Sequence, residues 1–198
     1  MKVNLFGARG RVGRLVADEL LKQYYISSVT GIETRGHKDI SNIYNGIRIV
    51  SDYSRYPMAH IWIDFSTPRA AIRHADAASK KCLPIIIGTT GFSTEQIEKL
   101  KSFGSKCPLL LSSNFSTGIG VMQQIVGSAS RLVQDSFEVS IAEQHHNKKV
   151  DKPSGTAKYL IERIKDNSKS EPQVSSFRLG GAIGEHQVRF VGDHEELV

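Results

Sequence analysis

The chain has 198 residues, a formal net charge of +6 and a pI near 9.3, with 39% hydrophobic and 23% charged residues. These values predict a soluble globular protein with one core or two small lobes. No run approaches the roughly 20 apolar residues of a membrane helix, and no signal-peptide pattern opens the chain. Lysine and arginine are scattered, so an anionic small substrate or a simply basic surface accounts for the charge better than nucleic-acid binding.

The first half alternates short apolar runs with amphipathic segments. Strands are predicted over residues 2–6, 28–32, 60–65, 83–87 and 109–111, and helices over 14–23, 68–80 and 94–103. Pro68 stands near the start of the second helix, and Ser93 or Thr94 caps the third. Strands alternating with helices predict an α/β fold with a Rossmann-like doubly wound parallel sheet.

The pattern changes after Ser116. A long helix is predicted over residues 118–132, a strand over 137–143, a helix over 152–165 and a polar loop over 166–173. Residues 174–179 and 186–191 predict antiparallel strands joined through a turn that begins at Gly180. We therefore expect a dinucleotide-binding domain over residues 1–116 and a smaller α+β lobe for substrate binding and oligomerisation over 117–198.

Two cysteines, Cys82 and Cys107, stand in neither a disulfide framework nor a metal-ligand spacing. We expect both to be small buried side chains in a reducing cytoplasm.

A glycine-rich loop follows the first strand and opens the first helix. Gly7, Gly10 and Gly13 permit a tight turn and a close approach of the backbone to a pyrophosphate at the helix N-terminus. Arg9 and Arg11 can pair with phosphates. The spacing is G-x-x-G-x-x-G rather than G-x-G-x-x-G, and a glycine-rich turn without a ligand is the alternative.

Glu33 stands about 20 residues beyond this loop, at the end of the second strand, where a carboxylate accepts hydrogen bonds from the adenosine ribose. Such an acid favours NAD, while the nearby Arg35 suggests tolerance of a 2′-phosphate. The alternative is that Glu33 is a solvated loop acid.

The run from Glu143 to Thr156 concentrates cations and titratable donors. His145, His146, Lys148 and Lys149 predict a cationic pocket, and imidazole can deliver a proton near neutral pH. Pro-Ser-Gly-Thr then opens a helix, whose free N–H groups suit a carboxylate. Adjacent histidines rarely ligate one ion, so we expect no metal here. A polar loop that is merely basic is the alternative.

A dinucleotide lobe joined to an anion-binding lobe predicts hydride transfer from NADH or NADPH to a small carboxylated acceptor.

The chain resembles the dihydrodipicolinate (4-hydroxy-tetrahydrodipicolinate) reductases over nearly its whole length. The signature E-x-H-H-x-x-K-x-D-x-P-S-G-T lies at residues 143–156, and R-x-G-x-x-x-G-x-H lies at 178–186. Further segments that resemble the family are residues 7–13, 63–68, 88–92 and 114–116.

The resemblance implies NAD(P)H-dependent reduction of dihydrodipicolinate, formed from 4-hydroxy-tetrahydrodipicolinate, to tetrahydrodipicolinate in the diaminopimelate–lysine pathway, by a cytoplasmic homotetramer. It implies that His145 is a proton donor or acceptor and that Lys149 is a proton donor or electrostatic partner. It also implies that the substrate carboxylates bind a further set of residues, which are His146, Ser154, Gly155 and Thr156. The implied nucleotide-binding residues are Gly7, Ala8, Arg9, Gly10, Arg11, Val12, Glu33, Gly88, Thr89, Thr90, Ser112, Ser113, Asn114 and Phe115.

Two departures from the family leave alternatives open. Thr34 stands where many members have arginine, so the choice between NADH and NADPH stays open. Family members continue beyond the position of Val198 through a strand and a helix that returns to the nucleotide lobe. One alternative is therefore a truncated, catalytically inactive nucleotide-binding relic. Another is an oxidoreductase acting on an amino-acid semialdehyde, although an acyl intermediate would need a nucleophilic cysteine and both cysteines look structural.

Overall fold

The computed structural model describes residues 1–51 and 59–198. These residues form two compact units, Met1–Ser113 and Asn114–Val198, and each is described by itself. Within the described ranges, no helix combines the length and the apolar character needed to cross a membrane.

The first unit is built on a mainly parallel sheet flanked by helices. Its strands are β1 (Lys2–Phe6), β2 (Ser28–Ile32), β3 (Ile43–Tyr44), β4 (Ile47–Val50), β5 (Ile61–Asp64), β6 (Ile85–Ile87) and β7 (Leu109–Leu111), and its helices are α1 (Arg11–Leu21), α2 (Pro68–Lys80) and α3 (Thr94–Gly104). In the described residues the strand order is β3-β4-β2-β1-β5-β6-β7. The chain therefore leaves β1 in one direction for β2 and returns to its other side as β5, which places a topological switch point beside β1.

Side chains alternate between the two faces of this sheet along each strand, so the strands contribute to a separate buried cluster on each face. Val3 and Leu5 pack with Ala17 of α1 on one face. Phe6 and Trp62 pack with residues of α2 and α3 on the other. This arrangement confirms the predicted doubly wound sheet.

Helix α1 begins at Arg11, earlier than the predicted residue 14, so Gly13 lies in its first turn. A Cβ on Gly13 would lie 2.0 Å from the carbonyl oxygen of Gly7. The third glycine of the loop is thus a packing requirement of the helix start.

The β3–β4 hairpin was not predicted. Its turn is made by Asn45 and Gly46, with φ of 47° and 82°. Asn-Gly is the dipeptide that favours such two-residue turns, because both residues tolerate positive φ.

The second unit is a smaller α+β layer. Its elements are α4 (Thr117–Val133), a 3-10 turn (Gln134–Ser136), β8 (Glu138–His145), α5 (Gly155–Lys165), β9 (Gln173–Arg178), β10 (Glu185–Val191) and β11 (Glu196–Leu197). The described strands are ordered β11-β10-β8-β9, with β8 parallel to β9 and antiparallel to β10. The strands β9 and β10 run in opposite directions as predicted, but β8 lies between them.

Helices α4 and α5 cover the second sheet. Val126 of α4 and Leu160 of α5 are buried against Ile141 and Phe190.

The predicted burial of the cysteines is right for Cys107 and wrong for Cys82, which is exposed. Cys82 follows α2 in a turn with φ of 51°, where its side chain leaves the core.

Candidate active site

In the first unit, the predicted nucleotide-binding residues follow the carboxyl ends of neighbouring parallel strands. The glycine loop follows β1, Glu33 follows β2, Gly88 follows β6 and Ser112 follows β7. Open parallel sheets bind their ligands at this edge.

The glycine loop is shaped for close approach of another backbone or a ligand. Gly7 has φ of 73°, and a Cβ there would lie 2.4 Å from the carbonyl oxygen of Phe65. Gly10 precedes α1 without a side-chain capping hydrogen bond, so the first N–H groups of this helix carry no such cap. A pyrophosphate fits this cradle because the free N–H groups and the positive helix end favour an anion.

Glu33 and the loop contact each other directly. One carboxylate oxygen of Glu33 accepts a hydrogen bond from the backbone N–H of Arg9 at 2.6 Å. The Arg9 side chain turns to Asp39, with 2.6 Å between Nε and the carboxylate, and lies 3.7 Å over the Tyr44 ring. Arg9 therefore braces the loop through its side chain, while its Nη1 is buried without a hydrogen-bond partner in the described structure.

A cavity of about 310 Å³ opens beside Glu33. Its lining joins one carboxylate, from Glu33, to the guanidinium groups of Arg35 and Arg73 and the hydroxyl of Ser66. The described residues place no carboxylate within ion-pair distance of Arg35 or Arg73. The cavity can therefore accept both a ribose hydroxyl and a phosphate.

A buried acid that was not predicted organises the loops after β5 and β6. Asp64 accepts hydrogen bonds from the Ser66 and Thr89 hydroxyls, both at 2.7 Å, and its other oxygen lies 2.5 Å from His74 Nδ1. Burial alone would raise the pKa of Asp64, but the hydrogen bond and charge of His74 hold it below its ordinary value. Asp64 thus holds the buried Thr89 side chain in place, whereas Thr90 is exposed.

The predicted residues 112–115 lie at the division between the units. Ser112 and Ser113 end the first unit, and Asn114 and Phe115 begin the second. The Asn114 amide Nδ2 donates a hydrogen bond to the Thr156 hydroxyl at 3.0 Å, so these two predicted site residues meet within the second unit.

The centre of the second unit's site is the buried carboxylate of Glu143, near the end of β8. Its two oxygens accept hydrogen bonds from Arg178 Nη2 and Nη1 at 2.9 and 3.0 Å. Burial alone would raise the pKa of Glu143, but hydrogen bonds from Arg178, Ser176 and His145 lower it to about 2. Glu143 is therefore ionised throughout the neutral range.

Glu143 also holds His145, the predicted proton donor or acceptor. His145 Nδ1 lies 2.5 Å from a Glu143 oxygen. The His145 ring stands across the His186 ring, with centroids 5.1 Å apart and planes at 74°. A Cβ on Gly184 would lie 2.9 Å from Nε2 of His145, so the backbone there also packs against the ring.

Ser154 links His186 to helix α5. Its hydroxyl oxygen accepts the Ala157 N–H at 3.2 Å and lies 3.0 Å from His186 Nε2. Burial, together with the charges of His145 and Lys149, lowers the pKa of His186. A neutral His186 can accept a hydrogen bond from the Ser154 hydroxyl. The oxygen lone pairs of Ser154 then remain available to accept the Ala157 N–H at the start of α5.

Lys149 lies in the loop between β8 and α5. Its ammonium is 2.8 Å from an Asp151 carboxylate oxygen. Burial alone would raise the pKa of Asp151, but Lys149 lowers it. The Lys149 carbonyl accepts a hydrogen bond from Arg178 Nε at 3.2 Å, and the Asp151 carbonyl accepts one from Arg178 Nη2.

His146 and the start of α5 offer groups that suit an anion. His146 Nδ1 is buried and has no hydrogen-bond partner among the described residues. Gly155 and Thr156 open α5, after Ser154 as its N-cap. Backbone N–H groups at such a helix start favour a carboxylate.

Glu143, His145 and His186 bring three possible ligand atoms within 4.8 Å of one another. Both oxygens of Glu143 already face the Arg178 guanidinium, so a metal cation would have to enter beside a buried positive charge. The geometry favours a hydrogen-bonded network.

Glu143, Arg178 and His186 were quoted in the motifs but given no role. The sequence signal for a buried acid was the charge balance of the histidine–lysine loop, since a buried cluster of cations requires a counter-charge. Their pairing depends on the register of β8 and β9, which places Arg178 beside His145.

Residues 1–115 match the family model for the dihydrodipicolinate reductase N-terminus, and residues 118–198 match that for its C-terminus. Relatives named 4-hydroxy-tetrahydrodipicolinate reductase from Bdellovibrio bacteriovorus and Archaeoglobus fulgidus are 33% and 32% identical to the chain. Both alignments span 100% of this chain, and they cover 80% and 85% of these relatives.

Solved structures show the same fold. A dipicolinate-bound dihydrodipicolinate reductase from a Paenisporosarcina species aligns with a TM-score of 0.80 at 21% identity, over 100% of this chain and 85% of that one. A myo-inositol 2-dehydrogenase from Lactobacillus plantarum aligns with a TM-score of 0.70 at 8% identity, over 100% and 75% of the two chains. Because the two family models together span nearly the whole sequence, the chain belongs to the dihydrodipicolinate reductase family.

Proposed function

We propose that the chain reduces dihydrodipicolinate, formed from 4-hydroxy-tetrahydrodipicolinate, to tetrahydrodipicolinate in lysine and diaminopimelate biosynthesis. The observation that carries this proposal is the cationic network around His145, in a chain whose two halves both match the family. A substrate with two carboxylates suits a site that combines Lys149, His146 and the half-buried start of α5.

The chemistry requires a hydride and a proton. Hydride adds to a carbon conjugated with the ring C=N bond, and negative charge develops towards the ring nitrogen. Lys149 stabilises that charge, and Lys149 or His145 supplies the proton to the resulting enamine. In the chain as described, Asp151 balances the Lys149 ammonium, so the substrate's negative charge would compete with Asp151 for it.

Substrate carboxylates bind His146 and the start of α5 in this proposal. The buried, unpartnered Nδ1 of His146 can donate to a carboxylate oxygen. The backbone N–H groups of Gly155 and Thr156 and the Thr156 hydroxyl supply further donors, and the Ser154 cap fixes their direction. Asn114 holds the Thr156 side chain in place.

The hydride comes from a nicotinamide dinucleotide. Residues 7–12 would cradle its pyrophosphate, Glu33 would accept hydrogen bonds from the ribose hydroxyls, and residues 88–90 and 112–115 would supply further contacts. The cavity beside Glu33 supports the use of both NADH and NADPH, because Arg35 and Arg73 offset the carboxylate. The cytoplasmic location and the tetramer implied by the family resemblance stay predictions.

The test is oxidation of NADH and NADPH by the purified 198-residue chain, with the substrate generated enzymatically in the same cuvette. We expect turnover with both nucleotides. We expect His145→Ala and Lys149→Ala each to lower kcat by roughly a hundredfold, the range for a lost acid–base group.

The matched control is Lys148→Ala. Lys148 belongs to the predicted cationic loop, but it is exposed and has no role in the proposed reaction, so this variant should leave kcat near that of the parent. A folded chain that binds nucleotide without turnover would contradict the proposed reaction. Full turnover in both site variants would contradict the assigned roles.

A further inference from the structure

Glu143 and Arg178 form a buried ion pair in the second unit. This pair contacts His145, the loop of Lys149 and the start of α5, to which the proposed reaction assigns chemical roles. The Glu143 side chain is 0% exposed and the Arg178 side chain 7%, and they join β8 to β9 through two parallel hydrogen bonds. A two-pronged guanidinium–carboxylate pair fixes the orientation of both groups as well as their distance.

The pair reaches His145 through Glu143. The carboxylate accepts a hydrogen bond from Nδ1 of His145 at 2.5 Å, which assigns the proton to Nδ1 and leaves Nε2 as the other ring nitrogen for proton transfer. The same carboxylate accepts the backbone N–H of Ser154 at 3.3 Å, so it also sets the start of α5.

The pair reaches Lys149 through Arg178. Nε of Arg178 donates to the Lys149 carbonyl at 3.2 Å, and Nη2 donates to the Asp151 carbonyl. These bonds fix the loop on both sides of Val150. The guanidinium thus places the backbone that carries the Lys149 ammonium and its partner Asp151.

We propose that Glu143 and Arg178 are positioning residues for the reaction: Glu143 sets the tautomer and direction of His145, and Arg178 sets the loop of Lys149. The proposal rests on the proposed function for its effect on turnover. The tautomer of His145 is inferred from the contact of its Nδ1 with the ionised Glu143 carboxylate, which can only accept, and it can be measured without any reaction.

The first measurement is nitrogen NMR of the histidine-labelled full chain near neutral pH, with the His145 signal assigned by its loss in His145→Gln. We expect neutral His145 to carry its proton on Nδ1. A parent chain with the proton on Nε2 would overturn the role of Glu143, whatever the turnover.

Two variants separate the two roles. Glu143→Gln places an amide group opposite Nδ1, so we expect the Nε2-protonated tautomer to gain population and kcat to fall by roughly a hundredfold, with a smaller change in substrate KM. Arg178→Lys keeps a positive charge but loses the two-pronged pairing and the carbonyl contacts. There we expect kcat to fall by about tenfold or more with the His145 tautomer unchanged.

The matched control is Glu138→Gln, the same substitution at an exposed position of β8, which should change neither kcat nor the tautomer. Folded variants that keep both the parental kcat and the parental tautomer would overturn the proposal. If Glu143→Gln does not fold, Arg178→Lys and the parental tautomer decide it. A parent without turnover would count against the proposed function, while the tautomer measurements would still test the positioning.

Discussion

Gly184 packs its backbone against the ring of His145. A Cβ at position 184 would lie 2.9 Å from Nε2 and 3.1 Å from Cδ2 of that ring, closer than side chains normally approach. We therefore expect Gly184→Ala to displace the imidazole and lower kcat by about tenfold or more, since small misplacements of a reacting group are costly. Steady-state kinetics with the parental chain as reference measures this.

Gly181→Ala is the matched control, because a Cβ there meets nothing within 4 Å. It should leave kcat unchanged. Equal kcat for the two alanine variants would show that the ring tolerates the contact.

Arg35 and Arg73 line the cavity beside Glu33, and in the proposed nucleotide site they would contact the 2′-phosphate of NADPH. Charge-assisted hydrogen bonds to a phosphate contribute roughly 1.5–3 kcal/mol, so we expect Arg35→Ala with Arg73→Ala to lower kcat/KM for NADPH by about tenfold or more. The value for NADH should change little, because its ribose offers hydroxyls to Glu33.

Arg69→Ala supplies the control for that comparison, since it removes an exposed arginine of α2 outside the residues that line the cavity. Equal losses for NADH and NADPH would argue against a phosphate contact at Arg35 and Arg73.

Sequence motifs single out candidate site residues that are local in the chain, whereas pairings made by tertiary contacts leave no such motif. The glycine loop and the histidine–lysine loop each fit in one short motif. Glu143 and Arg178 are far apart in the chain, and their pairing follows from the alignment of β8 with β9. Asp64 likewise gains its role because β5 and β6 are neighbours and Thr89 follows β6.

At the scale of elements, the start of α1 depends on a glycine that contacts another glycine. A Cβ on Gly13 would lie 2.0 Å from the Gly7 carbonyl oxygen, so Gly13→Ala must open the loop. We expect nucleotide affinity to fall by about tenfold or more, because the uncapped N–H groups would no longer converge on the pyrophosphate. Titration of NADH by fluorescence or calorimetry measures the dissociation constant.

The comparison for this change is Gly104→Ala at the end of α3, where a Cβ would make an ordinary contact at 4.0 Å with Leu109. This variant should bind nucleotide like the parent. Parental affinity in Gly13→Ala would show that the loop does not hold the pyrophosphate.

Periodicity and apolar runs predicted most strands and helices of the first unit, but they missed β3 and β4. These strands have two and four residues, and neither is a continuous apolar run of three or more residues like β6 and β7, so Asn45 and Gly46 were the sequence signal for their hairpin. The early start of α1 was missed because Gly13 resembled a loop residue. Its helical place depends on packing against Gly7.

For the whole molecule, the pKa of Glu143 predicts acid sensitivity. Its folded pKa is about 2 against an ordinary 4.5, so the unfolded chain binds the proton more readily. The associated stability is complete above about pH 5 and is lost as the pH falls towards 2, by about 3 kcal/mol in total. Urea unfolding followed at several pH values measures the loss.

The lowered pKa values of Asp64 and Asp151 act in the same direction. His186 adds a loss at higher pH, because its folded pKa is lowered and the unfolded chain takes up that proton as the pH falls below the ordinary histidine value of 6.5. The free energy of unfolding should therefore decline in two stages. A value that stays constant from neutral pH to about pH 3 would contradict both assignments.

The ion pair between β8 and β9 also bears on how the second sheet assembles. The observed register aligns Glu143 with Ser176 and His145 with Arg178. A slip of one residue would turn Arg178 to the opposite face of the sheet and leave the Glu143 carboxylate buried without its partner. An unpaired buried charge costs several kcal/mol, so a misaligned sheet is penalised at this one point. The ion pair that orients His145 thus also favours correct pairing of β8 with β9.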